Sequence, residues 1–401
     1  MKNNAWIGLL VMALLTTPLI ASGDVVTDAN ARAAEIASAL PGTPPAVRAM
    51  AIVQVAVYDS VNAITGRYPA FRTPAKAPAG ASVEAAVASA TRTVLLKLVP
   101  AQRTAIDNDY NVLIKAVAES QAKTDGIAVG ENVATAVLAQ CAEDGATAAN
   151  TYRPHTTPGV YVPTMFPAVP HWGKRKTWVM TSPDQFRPGP PPSLTSDTWK
   201  RDFEEIKAIG GKESTRRTAE QTAIAKFWEA TAPAVYWPVA RSVASAPGRD
   251  VIENARLFAA AAVAMDDALV AVFDAKYAYN FWRPVTAIRN ADGDARDPNW
   301  LPFIDTPMHP EYPCAHCIVS GALGAVLAAE IGNGPTPTLT GTSYTAPGVT
   351  RTWVKVGDFM QEVAVARIYD GVHYRNSTVV GNAMGQKIGA LAAQKLPKAT
   401  R

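Results

Sequence analysis

The sequence predicts a largely helical protein, on three observations. Alanine is abundant throughout. Apolar residues recur at spacings of three and four. Prolines such as Pro44, Pro45 and Pro100 fall between the apolar runs. In order, residues 28–40 form a first short helix. Pro44-Pro45 opens the next, over 46–64, with Val53, Val57 and Val61 on one face. Helices over 83–99, 101–119 and 124–143 follow, with Pro100 as a breaker. Residues 197–209 are helical with Thr195 or Ser196 as cap, and 218–230 opens on a Thr218/Gln221 capping box. The longest alanine-rich helix covers 249–275. Apolar runs over 318–331 and 352–368 complete the set.

The segment 152–193 differs. It is dense in proline and aromatics and ends in Gly189-Pro190-Pro191-Pro192, so it is neither regular helix nor central strand. Phe166, Trp172, Trp178 and Phe186 demand burial, which predicts an ordered loop lying over the helices and over the site. The organisation expected is therefore a leader (1–23), an N-terminal helical region (24–150), this loop (151–194) and a C-terminal helical bundle (195–401).

Lys2, the apolar stretch 5–20 and the small residues Ala21-Ser22-Gly23 read as a secretory signal with the mature chain starting at Asp24. The apolar core is shorter than the ~20 residues a membrane span needs, and no later stretch is expected to span. A periplasmic or secreted protein is the expectation. The 401 residues suffice for a large core in one or two domains. Lys and Arg number 38 against 34 Asp and Glu, with no basic run, which argues against a nucleic-acid partner. Three cysteines are too few for a disulfide scaffold. Cys314 and Cys317 form a CxxC that pairs after export or serves redox chemistry. The thioredoxin-like alternative lacks its βαβ context, and a bridge inside a helix start is disfavoured, so three free thiols are expected.

Three clusters carry chemistry. Lys276 and Arg283 lie seven apart, so a continuous helix would put them on one face, with Pro284 ending it. Pro313-Cys314-Ala315-His316 precedes an apolar run. His316 then falls in the first turn of a helix, where free N–H groups suit an anion. Arg367 and His373 lie six apart, and a turn near Gly371 would bring both to one place. Singly, each cluster reads equally as surface cations or an ordinary helix end. Together, one lysine, two arginines and two histidines suit a tetrahedral oxyanion, with cations on its oxygens and imidazoles for ligation and proton transfer. Asp266, Asp267 and Asp274 sit on the long alanine-rich helix. A buried carboxylate needs a cation, so one of them is expected against a site cation; the alternative is that they are solvated.

These residues resemble the signature of the type 2 phosphatidic acid phosphatase superfamily, which includes bacterial acid phosphatases and vanadium-dependent haloperoxidases. The pattern Lys-x6-Arg-Pro matches Lys276, Arg283 and Pro284. Pro-Ser-Gly-His becomes Pro313-Cys314-Ala315-His316. Ser-Arg-x5-His-x3-Asp becomes Ala366, Arg367, His373 and Ser377. His171-Trp172-Gly173, the stretch 185–190 and the stretch 279–289 look like the soluble bacterial haloperoxidase-like branch.

The resemblance implies an all-α architecture of packed helical bundles with the oxyanion site in the C-terminal one. Lys276, Arg283, Arg367 and the backbone at Cys314 and Ala315 would bind the oxyanion. His373 would be the vanadium ligand, or the nucleophile that forms a phosphohistidine, and His316 the acid–base group. The implied substrates are hydrogen peroxide and a halide with vanadate as cofactor, or a phosphomonoester with none required. A non-catalytic phosphate- or vanadate-binding protein is the third reading. An oligomer is left open.

The departures have consequences. A Cys314 thiol is a weaker donor than serine and is oxidisable, which argues mildly against vigorous halide oxidation. Ser377 leaves the His373 ring without its usual carboxylate, so Asp370, or one of Asp266, Asp267 and Asp274, is expected to orient it. His309 resembles the histidine of bromoperoxidases at that place, which favours bromide or iodide over chloride.

Overall fold

The computed structural model describes residues 24–397 apart from 164 and 232. The expected leader lies outside these residues. Five helices form the N-terminal region. They are α1 (Val25–Ala37), α2 (Thr43–Thr65), α3 (Val83–Leu98), α4 (Arg103–Lys115) and α5 (Gln121–Gln140). Their starts follow from local chemistry. Asp24, Ser82 and Ser120 cap α1, α3 and α5, and Pro44 and Pro45 occupy the first turn of α2. α2 is long and apolar enough to cross a membrane, against the expectation, but 83% of its most apolar stretch is buried inside the protein.

The C-terminal region comprises α6 (Asp197–Ile209), α7 (Ala219–Trp228), α8 (Trp237–Ala244), α9 (Val251–Tyr279), α10 (Pro284–Arg289), α11 (Ala315–Ile331), α12 (Val356–Tyr369) and α13 (Arg375–Lys395). Ser196 caps α6, and capping boxes open α7 (Thr218/Gln221) and α9 (Asp250/Glu253). α9 is the spine: α2 packs on it, and so do α11 and α13. One apolar core runs from Val26 to Leu396 through α9 and joins both helical regions. α13 lies close on α11. A Cβ at Gly385 would stand 2.1 Å from the Ile318 carbonyl oxygen, and one at Gly389 2.2 Å from that of Ala322.

The architecture is all-α, with one small exception. Residues 339–353 form an antiparallel hairpin, β1 (Leu339–Ser343) and β2 (Ala346–Trp353), so the helix expected from residue 352 starts at Val356. Its threonine-rich alternation has period two, and Leu339 and Trp353 close over the core. Lys276 and Arg283 are also not on one helix. α9 ends at Asn280 in the left-handed conformation (φ 50°), and Pro284 begins α10 rather than ending α9.

The proline-rich segment lies along α9. Asp267 accepts the backbone N–H groups of Trp178, Val179 and Met180 at 2.7–3.1 Å. Asp266 binds Arg175 and the Trp178 indole, and Asp274 binds Arg187. The carboxylates expected at the site, Asp266, Asp267 and Asp274, therefore hold this loop instead. Sequence spacing does not reveal the backbone, indole and arginine donors that this segment offers. Trp172 is buried as expected, whereas Phe166 is 92% exposed, because docking runs through Trp172 and these hydrogen bonds.

Candidate active site

Three buried cations converge where α9, α11 and α12 end or begin. Lys276, in the last turn of α9, donates from Nζ to the carbonyls of Pro310 and Glu311, both at 2.8 Å. Arg283 is extended after the Asn280 break. It donates from Nε to the His309 carbonyl and from Nη1 to the Val372 carbonyl, both at 2.8 Å. Arg367, in the last turn of α12, donates from Nη1 to the Trp228 carbonyl (3.0 Å) and to Asp370 Oδ2 (2.6 Å).

Gly371 makes the expected turn. At φ 77° its missing Cβ leaves room for the Gly210 carbonyl, which would stand 2.2 Å from it. The N–H groups of Val372 and His373 fold back onto the Arg367 carbonyl, and this returns His373 to the cations. Its Nε2 lies 3.3 Å from Arg283 Nη1.

The ring of His373 is held by Glu311, which the sequence reading did not single out. Its Oε1 lies 2.8 Å from His373 Nδ1 and accepts the Tyr374 N–H at 3.0 Å. Asp370, expected in that role, is turned to Arg367, because the two are three apart on one helix end. Glu311 and His373 are 62 residues apart in the chain, so no spacing links them. The only signal was a carboxylate inside an otherwise apolar loop, Pro310-Glu311-Tyr312-Pro313, where an unpaired charge is costly.

His316 sits in the first turn of α11 with Nε2 3.3 Å from the Ala230 carbonyl, an acceptor, so Nε2 carries the proton. Ala315 precedes it and also faces the cavity. Cys314 is different from expectation on two counts. Its backbone N–H donates to the Ser377 carbonyl at 3.2 Å, so it is not offered to an oxyanion. Its sulfur is bonded to Cys317, with the two Cα atoms 5.3 Å apart. Cys314 is the extended N-cap of α11, and a cap side chain sweeps back over the first turn toward the third residue of the helix. The feature thought to oppose a bridge therefore brings the sulfurs together. Cys141 is the free, buried cysteine among the described residues.

A cavity of about 520 Å³ opens onto His309, His316, Arg367 and His373. Leu269, Phe273, Met308, Leu40 of the α1–α2 connection and Pro44 at the start of α2 form its apolar walls, and Ala168 of the proline-rich segment touches it. His309 stacks edge-on to Phe273, with Nδ1 3.0 Å from Arg283 Nη2.

The electrostatics suit an anion. Burial first, then the Arg283 and Arg367 charges, hold Lys276 well below its ordinary range. Burial pushes Arg283 down to about 10. Burial and the same cations keep His309, His316 and His373 neutral, well below the usual imidazole value. Burial lifts Glu311 up to about 7 against the pull of Lys276 and Arg283. Arg367 Nε is buried without a hydrogen-bond partner. An orphan donor among crowded cations fits a bound oxyanion, which would accept that hydrogen bond and offset the mutual repulsion.

Fold and site together define an all-α protein with three buried cations flanked by two imidazoles. The family described as the VCPO second helical-bundle domain matches residues 256–401, the stretch that holds Lys276 through His373. The chain is 27% identical over 276 residues to the vanadium chloroperoxidase of Curvularia inaequalis, a match covering 51% of this chain and 45% of that one. It thus spans somewhat under half the length of that relative. The first bacterial vanadium-dependent iodoperoxidase superposes with a TM-score of 0.81 at 26% identity, covering 93% of this chain and 96% of that one. An apo-type bacterial vanadium-dependent chloroperoxidase shares the fold, with a TM-score of 0.72 at 18% identity over 90% and 97% of the two chains. The chain is thus similar to vanadium haloperoxidases in its C-terminal bundle and in its fold, as its motifs suggested.

Proposed function

We propose that the chain is an exported enzyme that oxidises a halide with hydrogen peroxide at a vanadate centre. The observation that carries this reading is the geometry around His373. A neutral imidazole faces three buried cations at the end of a cavity that also holds His316. Lys276, Arg283 and Arg367 would hold the oxyanion oxygens, the last through its partnerless Nε. The Ala315 backbone at the start of α11 adds the positive end of a helix. His373 Nε2 would be the ligand atom. Bound vanadate supplies the Lewis acid that makes peroxide electrophilic toward halide.

His316 holds and moves the proton. It is neutral in the anion-free site and sits in the same cavity, so it is available as a base. The apolar walls limit water around the centre, which strengthens the cations' hold on an anion. His309 beside Phe273 supports bromide or iodide as the halide. The apolar stretch 5–20 supports export to the periplasm or the medium.

The disulfide removes one objection, since no thiol at Cys314 faces the oxidant. The test is direct. Purified protein loaded with vanadate is assayed with peroxide and bromide or iodide, and in parallel with an aryl phosphate. Halide oxidation is expected. Hydrolysis of the phosphate ester alone assigns a phosphatase, and anion binding with neither activity assigns a binding protein.

A further inference from the structure

We propose that Glu311 is the positioning residue of this site, and that it fixes His373 as the tautomer with the proton on Nδ1 and a free lone pair on Nε2. Two independent contacts require that tautomer. Glu311 Oε1 lies 2.8 Å from Nδ1 and already accepts the Tyr374 N–H, so it serves as an acceptor and Nδ1 as the donor. On the opposite edge, Arg283 Nη1 lies 3.3 Å from Nε2, and a guanidinium has no lone pair to give. Nε2 must therefore accept. The lone pair then points at the cations, where an oxyanion's central atom would sit.

The carboxylate has changed address. In the resembling pattern an aspartate four residues after this histidine holds the ring. Here that position is Ser377, whose Oγ lies 3.4 Å from Nδ1. Glu311 supplies the missing carboxylate from the loop before α11. Both side chains are buried, so the loop, His373 and the start of α13 are locked together. The other Glu311 oxygen, Oε2, has no hydrogen-bond partner. Its contribution is to the ring and to the Tyr374 N–H. A ligating histidine oriented in this way is a better base toward the atom it binds.

The consequence for turnover rests on the reading that His373 is the ligand; the tautomer does not. The experiment uses the full chain labelled with ¹⁵N-histidine, without vanadate, with His373 assigned by the loss of its signals in His373→Gln. The wild-type ring is expected as Nδ1–H. An Nε2–H ring overturns the proposal, and this measurement needs no folded variant at Glu311. Glu311→Ala is expected to lose the fixed tautomer and to lower kcat by roughly 10–100-fold, the usual cost of removing such a partner, with little change in KM. Glu311→Ala/Ser377→Asp returns a carboxylate to the ring from α13 and is expected to restore both tautomer and kcat. A folded double variant that restores neither overturns the positioning role. Failure of the wild-type protein to turn over halide overturns the haloperoxidase reading alone.

Discussion

Cys314 shows how a single residue can mislead. A cysteine where serine is usual reads as a weakened donor, and a helix start reads as a poor place for a bridge. The structure makes the cap itself the reason the bridge forms. Thiol titration of the unfolded, unreduced protein is therefore expected to find one free thiol, that of Cys141. Cys317→Ser is expected to cost about 2 kcal/mol in a denaturant melt, the modest amount that closing so short a loop provides. A titration giving three thiols, or an unchanged midpoint, contradicts this. The residues of the centre itself were legible, because Lys276 and Arg283, Cys314 to His316, and Arg367 and His373 stand at short fixed spacings in the chain. Their partners were not. Glu311 meets His373 across 62 residues, and Asp267 meets the Trp178 N–H across 89. Such pairs are made by tertiary packing, which no local pattern encodes.

Among the elements, the α11–α13 contact sets the position of His316. α13 approaches so closely that Gly385 and Gly389 meet carbonyl oxygens of α11. Gly385→Ala gains up to about 1 kcal/mol in helix propensity. Against that, its methyl would meet the Ile318 carbonyl at 2.1 Å, and backbone cannot swing aside as a side chain can. Overpacking of this kind costs about 1–3 kcal/mol, so a net loss of roughly 1–2 kcal/mol is expected. Gly357→Ala on α12, where a methyl meets nothing, is the control and is expected to be neutral or stabilising. Chemical denaturation of the two variants decides it, and equal midpoints would show that α13 yields freely. Helices with caps and breakers were readable to within a few residues, as α6 and α7 show. The hairpin was not, since its threonine alternation was absorbed into the apolar run that follows.

At the scale of the whole molecule, the centre is a concentration of positive charge held in an apolar interior. That gives anion binding a definite pH dependence. Lys276 is held well below its ordinary value, by burial first and by Arg283 and Arg367 next, and burial lowers His316. A bound anion favours the protonated form of each, so their values rise on binding and protons are taken up. Affinity therefore falls as pH rises through the values of the anion-free site. Tungstate is fully ionised at pH 8, so proton exchange on binding it belongs to the protein. Calorimetry in two buffers of different ionisation enthalpy is expected to show uptake, and release would contradict the charge arrangement.

α9 also has an implication for inheritance. One face of this helix belongs to the N-terminal helices and another to the bundle that carries the chemistry. The stretch most readily recognised by descent begins at residue 256, inside α9. It is a unit of sequence similarity and not a unit of folding. A gene fragment encoding residues 195–401 would strip α2 from its seat and leave that apolar face bare. It is expected to be insoluble or to bind a hydrophobic dye strongly, whereas a soluble, non-binding fragment would show that the two halves can be exchanged like cassettes. Shuffling of this fold between lineages must therefore carry both halves together, or rebuild the seam.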